Sequence, residues 1–310
     1  MGRVMSVGTR PLVPSRLTPG GLADAAHGVR RTPRSLIGNY VALTKPRIVE
    51  LLLITTVPTM VLAADAWPGW RLVAVTLIGG SLAAGGANAA NMYVDRDIDA
   101  KMRRTQGRPL VTGAVAPGHA LIFAAALQIA AFVILGLGAN LLSAVLALAA
   151  TAFYVGVYTI WLKRTSTHNI VIGGAAGAVP VLVGWAAVTG SVDWPAVVLF
   201  AAMFLWTPPH FWALAIRYAD DYRAADVPML PAVVPLRVAA KQIVGYTAAL
   251  VVTTLALIPV GDLGWLYTVA AVALGAMFLG GTIALVKHPT PAASTFTAID
   301  RNRNDAAPST

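Results

Sequence analysis

The sequence predicts an all-α integral membrane protein, built as a bundle of about eight transmembrane helices around a central cavity that opens near the cytoplasmic face. Three observations predict this class. Of the 310 residues, 57% are apolar and only 12% are charged, which is far from the balance of a soluble domain. Long apolar segments recur along the chain. The charged residues collect in the connections between alternate segments.

The apolar segments are long enough to cross roughly 30 Å of hydrocarbon at about 1.5 Å per residue. They lack the alternation of membrane barrel strands, and a backbone in lipid must pair its polar groups within the segment. Each segment is therefore predicted to be a helix. The predicted spans are residues 47–65, 70–94, 118–138, 141–161, 169–189, 195–217, 239–259 and 264–286.

The basic residues predict the orientation of the bundle. If the N-terminus is cytoplasmic, Arg71 alone lies outside, and the other 22 of the 23 Lys and Arg residues lie in cytoplasmic segments. An even number of spans then places the C-terminus there too. Because orientation accounts for most of the net charge of +10, we expect no nucleic-acid partner. The predicted location is the plasma membrane of a bacterium, within the lipid bilayer.

Composition divides the chain into three regions. Residues 1–36 are rich in Arg, Pro, Gly and Ser and are predicted to form a disordered cytoplasmic tail. A mitochondrial transit peptide is the alternative, although Pro and Gly interrupt any amphipathic helix there. Residues 37–287 are the predicted membrane domain, and residues 288–310 are a polar tail. The chain contains no Cys, so disulfide and thiolate chemistry are excluded.

A polar stripe is predicted where the second span meets the cytoplasm. Asn88, Asn91, Asp95 and Asp99 follow one another at intervals of three or four residues, which places them on one face of a continued helix. Carboxylates one turn apart repel each other, so the stripe needs a cation, and hard oxygen ligands suit Mg²⁺. The alternative is a solvated helix end that binds nothing.

A basic run follows the stripe within ten residues and contains Lys101, Arg103, Arg104 and Arg108. Guanidinium forks and an ammonium group could hold an anion such as diphosphate against the metal ion.

A second polar cluster follows the sixth span. Arg217, Asp220 and Asp221 lie where that helix should reach the cytoplasm, on the same side as the stripe. The two clusters could therefore converge on one ligand from opposite halves of the bundle.

Two basic pairs, Lys45 with Arg47 and Lys163 with Arg164, lie at span ends and are typical of positive-inside anchoring. Lys163 is the stronger candidate for a function. Three aromatic residues precede it on a possible cavity wall, namely Tyr154, Tyr158 and Trp161.

His210 is the one histidine that the predicted spans place inside the membrane, directly after Pro208 and Pro209. A buried imidazole needs a partner. A backbone carbonyl freed by the prolines is one possibility, and contact with a substrate or its metal is the other.

Several stretches resemble one known family. NMYVDRDIDAKMRRTQGRPL, YTIWLKRTSTHNIVIGGAAGAVPVLVGWAAVTG, WTPPHFWALAIRYADDYR and VPMLP are similar to the heme O synthases, the protoheme IX farnesyltransferase branch of the intramembrane prenyltransferase superfamily. The resemblance covers residues 40 to 286. It implies that farnesyl diphosphate and heme b are the substrates, that Mg²⁺ is the cofactor, and that a heme A synthase acts downstream.

The resemblance also implies roles for individual residues. The implied catalytic residues are Asp95, Asp99, Lys163 and Asp221. The implied ligands of Mg²⁺ are Asn91, Asp95, Asp99 and Asp221. The diphosphate would be bound by Asn88, Asn91, Arg47, Lys101, Arg104, Arg108, Arg164 and Arg217. His210 is the candidate on the heme side.

Two departures from the family pattern stand out. Ala225 lies four residues after Asp221, where the superfamily often has a second Asp, and Asp226 lies where the heme branch usually has Gly, so the number of metal ions is open. The family has nine spans, and the residues after Lys287 are expected to be too few and too polar for the ninth.

The sequence is also compatible with two other functions. A sister enzyme that prenylates a quinone precursor or another aromatic acceptor would share the diphosphate site and differ in the acceptor pocket. A transporter or channel is the other, but transporters place their polar groups near the bilayer midplane, whereas these acids collect on one side.

Overall fold

The computed structural model describes residues 35–287, so both predicted tails and the question of a ninth helix lie outside the described residues. In chain order the helices are α1 (Leu36–Thr44), α2 (Pro46–Leu53), α3 (Thr56–Ala64), α4 (Trp70–Val94), α5 (Arg96–Lys101), α6 (Pro117–Gly138), α7 (Leu141–Ala152), a π-helical segment (Phe153–Leu162), α8 (Lys163–Thr165), α9 (Asn169–Thr189), α10 (Trp194–Arg217), α11 (Ala219–Ala224), α12 (Leu230–Val233), α13 (Leu236–Val260) and α14 (Trp265–Lys287).

Seven helices among the described residues are long and apolar enough to cross a membrane. They are α4, α6, the continuous helix Leu141–Thr165, α9, α10, α13 and α14. The predicted all-helical membrane class is confirmed, and the chain is a multi-pass membrane protein.

The predicted first span, residues 47–65, is not a single helix, and the prediction is corrected here. It is divided into α2 and α3 by a turn at Ile54 and Thr55. Pro58 explains the break, because a proline has no N–H for the carbonyl of Ile54 and its ring crowds that carbonyl. Before α2, Lys45 adopts a left-handed conformation with φ 52°, which separates α1 from α2.

The long helices pack in sequence: α4 on α6, α6 on α7, α7 on α9, α9 on α10, α10 on α13, and α13 on α14. The three short helices at the start of the described chain also pack on the long ones. Helices α1 and α2 contact α4, and helix α3 contacts α9. We call the end of the bundle that carries α5, α8 and α11 the polar end.

Close helix approach depends on small residues. A Cβ at Gly86 of α4 would lie 2.7 Å from Gln128 Nε2 and 3.0 Å from the carbonyl oxygen of Ala124 on α6. Gln128 uses this proximity to donate a hydrogen bond of 2.6 Å to the carbonyl of Ala83. Such contacts hold membrane helices together where the hydrophobic effect does not distinguish protein from lipid.

Candidate active site

The polar stripe is present and buried. The backbone N–H groups of Asp95 and Asp99 donate to the carbonyls of Asn91 and Asp95 at 2.9 and 2.8 Å, so the helical register continues from α4 into α5. The side chains of Asn88, Asn91, Asp95 and Asp99 are no more than 4% exposed. A solvated helix end would leave them in water, so that alternative does not fit the structure.

Basic side chains from distant segments neutralise the stripe. Lys163, near the end of the continuous helix Leu141–Thr165, forms an ion pair with Oδ2 of Asp95. Arg108, in the connection after α5, forms an ion pair with Oδ2 of Asp99. Buried carboxylates require such partners, because an unpaired buried charge carries a large desolvation cost.

Arg164 binds the neighbouring acid, Asp97. Its two Nη atoms donate to the two carboxylate oxygens of Asp97 at 2.7 Å each, and Nη2 also donates to the carbonyl of Val94 at 3.0 Å. The hydrogen bonds from Arg164 lower the pKa of Asp97 to about 2. Arg164 lies 3.9 Å from Oδ1 of Asp95, so it contributes positive charge to the stripe from its edge.

Lys45 belongs to the site, although the sequence favoured Arg47 of that basic pair. Its Nζ donates to Oδ1 of Asn91 at 2.7 Å. Desolvation, with repulsion from Arg108 and Lys163, lowers the pKa of Lys45 to about 7. The signal in the sequence was its position just before Pro46, at the predicted polar end of the first span. The crowding of three cations makes this an environment that favours a bound anion.

The stripe offers oxygen ligands that fit Mg²⁺. Nδ2 of Asn91 donates to Oδ2 of Asp95 at 2.8 Å and to Oγ1 of Thr159 at 3.0 Å, so the amide oxygen faces away from both. Oδ1 of Asp95 is buried without a hydrogen-bond partner, which is costly unless a cation or donor approaches it. Amide and carboxylate oxygens are the donor set that Mg²⁺ prefers.

The structure does not bring Asp221 together with the stripe into a group of carboxylates. Within residues 35–287, no three His, Asp or Glu side chains form a cluster that could hold a metal ion. Asp221 is half-buried on α11, and its neighbour Asp220 pairs with Arg223 instead.

Two of the predicted diphosphate-binding residues join the two loops at the polar end. Nη2 of Arg104 donates to the hydroxyl of Tyr222 at 3.1 Å, and its guanidinium lies over the ring of Tyr218 at 5.5 Å. Nζ of Lys101 lies 3.5 Å from Oδ2 of Asp226. These contacts give Lys101 and Arg104 a role in holding the loops together.

Two further predicted residues lie at the surface. Arg47 is exposed near the start of α2, and Arg217 is exposed at the end of α10.

An apolar cavity of about 240 Å³ begins beside the stripe and extends between the long helices. Asn88 belongs to both the stripe and the cavity wall. The remaining wall is formed largely by Ala, Gly and aliphatic side chains from α2, α4, α7, α9 and α10. The predicted central cavity is therefore confirmed.

Aromatic residues on the π-helical segment form one side of this wall. Tyr154 and Tyr158 line the cavity, with their rings stacked at 5.3 Å between centroids. Trp161 was also predicted to lie on the wall, and this was wrong, because its side chain is 61% exposed on the outer surface.

His210 stacks on Trp206, with 4.3 Å between ring centroids, and meets Phe211 edge-on at 5.4 Å. Trp206 and Phe211 line the cavity. His210 is half-buried beside them, so its partners include aromatic rings, in addition to any carbonyl that the prolines free.

The sequence profile of the UbiA prenyltransferase family matches residues 52–301. The chain belongs to the UbiA prenyltransferase family. Protoheme IX farnesyltransferase of Paenarthrobacter aurescens is 55% identical over 249 residues, which cover 80% of this chain and 78% of that protein. Protoheme IX farnesyltransferase of Parafrankia sp. is 58% identical over 241 residues, covering 78% and 77% of the two chains. The resemblance to the heme branch of this prenyltransferase family is thereby confirmed.

Solved structures of UbiA prenyltransferases share the fold. A digeranylgeranylglyceryl phosphate synthase superposes with a TM-score of 0.71 at 17% identity, covering 85% of this chain and 92% of that one. A UbiA homologue from Archaeoglobus fulgidus, bound to DMAPP and Mg²⁺, has a TM-score of 0.64 at 17% identity, with coverages of 84% and 96%.

Proposed function

We propose that this protein transfers the farnesyl group of farnesyl diphosphate to a vinyl group of heme b, giving heme O and diphosphate. The observation that carries the proposal is a buried cluster of acids and cations beside an apolar cavity, in a chain more than half identical to protoheme IX farnesyltransferases. The cluster suits a diphosphate, and the cavity suits an isoprenoid tail.

The cations of the cluster would bind the substrate through its diphosphate. Lys45, Lys163 and Arg108 are held against the stripe and can donate to phosphate oxygens when those enter. Asn91, Asp95 and Asp99 would hold Mg²⁺, without Asp221, which the structure does not group with them among the described residues. When bound there, Mg²⁺ supplies positive charge that stabilises the departing diphosphate.

The reaction then breaks the allylic C–O bond, and its electron pair leaves with the diphosphate oxygen. The π electrons of the heme vinyl group form the new C–C bond, and water adds to the resulting cation and loses a proton. The apolar walls exclude other water from the allylic cation until the vinyl group attacks. The basic side chains stabilise the negative charge that develops on the leaving group.

The orientation and location belong to the same proposal. The distribution of Lys and Arg supports a polar end that faces the cytoplasm across a bacterial plasma membrane. A heme A synthase that consumes heme O is the expected downstream partner.

The test uses purified protein with farnesyl diphosphate, Mg²⁺ and either heme b or 4-hydroxybenzoate as the acceptor. We expect a farnesylated, hydroxylated heme by mass spectrometry. A product from 4-hydroxybenzoate alone would contradict the heme assignment and favour the sister enzyme.

The charge of Asp95 is tested in the same assay. Asp95→Asn keeps the shape and removes the charge, and we expect turnover to fall on the order of a hundredfold with expression unchanged, because the leaving group loses its metal site. The matched control is Asp262→Asn, an exposed loop residue, which should retain the wild-type rate. Wild-type turnover in Asp95→Asn would show that the stripe does not take part.

A further inference from the structure

We propose that a groove between α13 and α14, at the polar end, binds an anionic phospholipid of the surrounding bilayer. The groove has a volume of about 250 Å³, and it is lined by Lys241 and Val244 of α13 and by Ile283, Val286 and Lys287 of α14. Neither helix lines the apolar cavity beside the stripe. The lipid site is therefore separate from the candidate active site and does not rest on the proposed reaction.

The groove lies at the rim of the membrane-spanning bundle. Helix α13 begins at Leu236, after α11 and α12 of the polar end, and Lys241 lies in its second turn. Helix α14 runs back toward the same end and terminates at Lys287. Both ammonium groups can therefore reach the level of the lipid headgroups, while their aliphatic stems lie along apolar surface.

The charge of the groove is positive and is not neutralised by the protein. Lys241 and Lys287 are exposed, and neither forms an ion pair with any described residue. Arg237, one turn before Lys241, adds a third exposed cation. The one acid in residues 227–287 is Asp262, in the connection at the opposite end of the two helices. Because like charges repel, the groove favours an anion between its lysines.

The floor of the groove is apolar and firmly packed. Behind its two valines, Ile243 and Leu285 are fully buried in one core cluster. Gly245 lies one turn after Lys241 on the same face of α13, and a Cβ there would meet nothing within 4 Å. This open space leaves room for a chain that runs toward the middle of the membrane. A soluble anion would leave the floor uncovered, whereas an acyl chain packs against it.

An anionic phospholipid combines the two properties that the groove requires. Its phosphate can accept hydrogen bonds from both ammonium groups, and one of its acyl chains can lie in the apolar part. In the proposed orientation the polar end lies in the cytoplasmic leaflet, whose surface is negatively charged. A second copy of this chain suits the groove less well, because a twofold contact there would bring lysines toward lysines.

Such a lipid would hold α14 in place. Among the described helices, α14 packs chiefly on α13. A phospholipid that binds Lys241 of one helix and Lys287 of the other bridges the pair at the polar end. Since a ligand that binds only the folded protein stabilises it, the lipid should also raise the temperature of unfolding.

Native mass spectrometry and thermal unfolding of the full chain in detergent test the site. The probes are phosphatidylglycerol, phosphatidylcholine with the same acyl chains, and glycerol 3-phosphate, which carries the charge without the chains. Wild-type protein should bind phosphatidylglycerol in preference to the other two and unfold at a higher temperature with it. In Lys241→Gln combined with Lys287→Gln, we expect the affinity for phosphatidylglycerol to fall roughly thirtyfold, because each lysine near an anionic headgroup contributes about fivefold.

Further variants separate a shaped site from general attraction between charges. Lys241→Arg combined with Lys287→Arg keeps both charges and should keep the preference for phosphatidylglycerol. Lys287→Gln alone should lose about fivefold in affinity, whereas Arg71→Gln, which removes an exposed cation at the other end of the bundle, should bind as wild type does. Val244→Trp fills the groove and should weaken the binding about tenfold, although both lysines remain.

Equal affinity of the wild type for the two phospholipids overturns the proposal, and so does a preference that survives both glutamine substitutions. Wild-type affinity in Val244→Trp, or glycerol 3-phosphate bound as tightly as the lipid, overturns it as well. Dimers that the two glutamine substitutions abolish would assign the groove to a second copy instead. Where Val244→Trp fails to fold, the variants of the exposed lysines decide the matter. Because the groove is separate from the stripe, none of these outcomes bears on the proposed reaction.

Discussion

At the scale of single residues, the site is a balance of buried charges. Asp95 is fully buried, yet one of its oxygens binds Lys163 and the other lacks a hydrogen-bond partner. Lys45 binds the amide oxygen of Asn91 next to it. These side chains come from three parts of the chain, and each lowers the cost of burying the side chain that it contacts.

Lys45→Met tests the contribution of Lys45 to anion binding. Because a hydrogen bond from a charged group is lost, we expect the affinity for farnesyl thiodiphosphate to fall roughly tenfold, with the fold intact. The measurement is isothermal titration in detergent. Lys241→Met, an exposed lysine on α13, is the control that should bind as wild type does. Equal affinities in the two variants would remove Lys45 from the site.

At the scale of elements, the π-helical segment Phe153–Leu162 determines which side chains the continuous helix Leu141–Thr165 presents to the cavity. The bond from Oγ1 of Thr159 to the carbonyl five residues earlier belongs to this wider turn. Short π-helical turns are frequent at functional sites because they change which side chains share a face. Here the segment places Tyr154 and Tyr158 inward and leaves Trp161 outside.

Gly173→Ala tests the fit between this segment and α9. Because the new Cβ would overlap the ring of Tyr158, we expect a loss of about 1–3 kcal/mol in the free energy of unfolding, as for overpacked cores. Thermal unfolding in detergent measures the effect. Gly280→Ala is the control, since a Cβ there meets nothing within 4 Å. A Gly173→Ala protein as stable as Gly280→Ala would mean that Tyr158 moves freely.

At the scale of the whole molecule, the two loops after α4 and α10 form one layer over the polar end. Ile98 and Met102 of the first loop pack against Ala225 and Val227 of the second. Lys101 and Asp226, which adjoin these residues in the sequence, form an ion pair between the two loops. The layer explains how two acidic segments more than one hundred residues apart in sequence reach the same end of the cavity.

The absence of native cysteine permits a direct test of this layer. Lys101→Cys combined with Asp226→Cys should be joined by a short bis-maleimide in membranes, as read on gels after proteolysis between the two positions. Lys101→Cys combined with Asp193→Cys, at the other end of α10, should not react in this way. Similar cross-linking of both pairs would refute the arrangement of the loops.

Hydropathy and charge were sufficient to predict the class and the seven long helices, because lipid requires long apolar helices. They did not predict the central cavity, which was expected only once the family resemblance was considered. The polar stripe was predicted from its spacing along one helix, whereas its burial is seen only in the structure. Hydropathy and spacing depend on local sequence, so they can be read without the fold.

Tertiary structure decided the rest. The break in the first segment depends on Pro58, but whether a proline kinks or divides a helix depends on its neighbours. Lys45, Thr159 and Gly173 entered the site through contacts across 46, 68 and 15 positions of sequence, respectively, which no helical period encodes. Lys101 and Arg104 turned toward the second loop because their partners lie there. Spacing within a helix identifies a face, and only packing determines what that face meets.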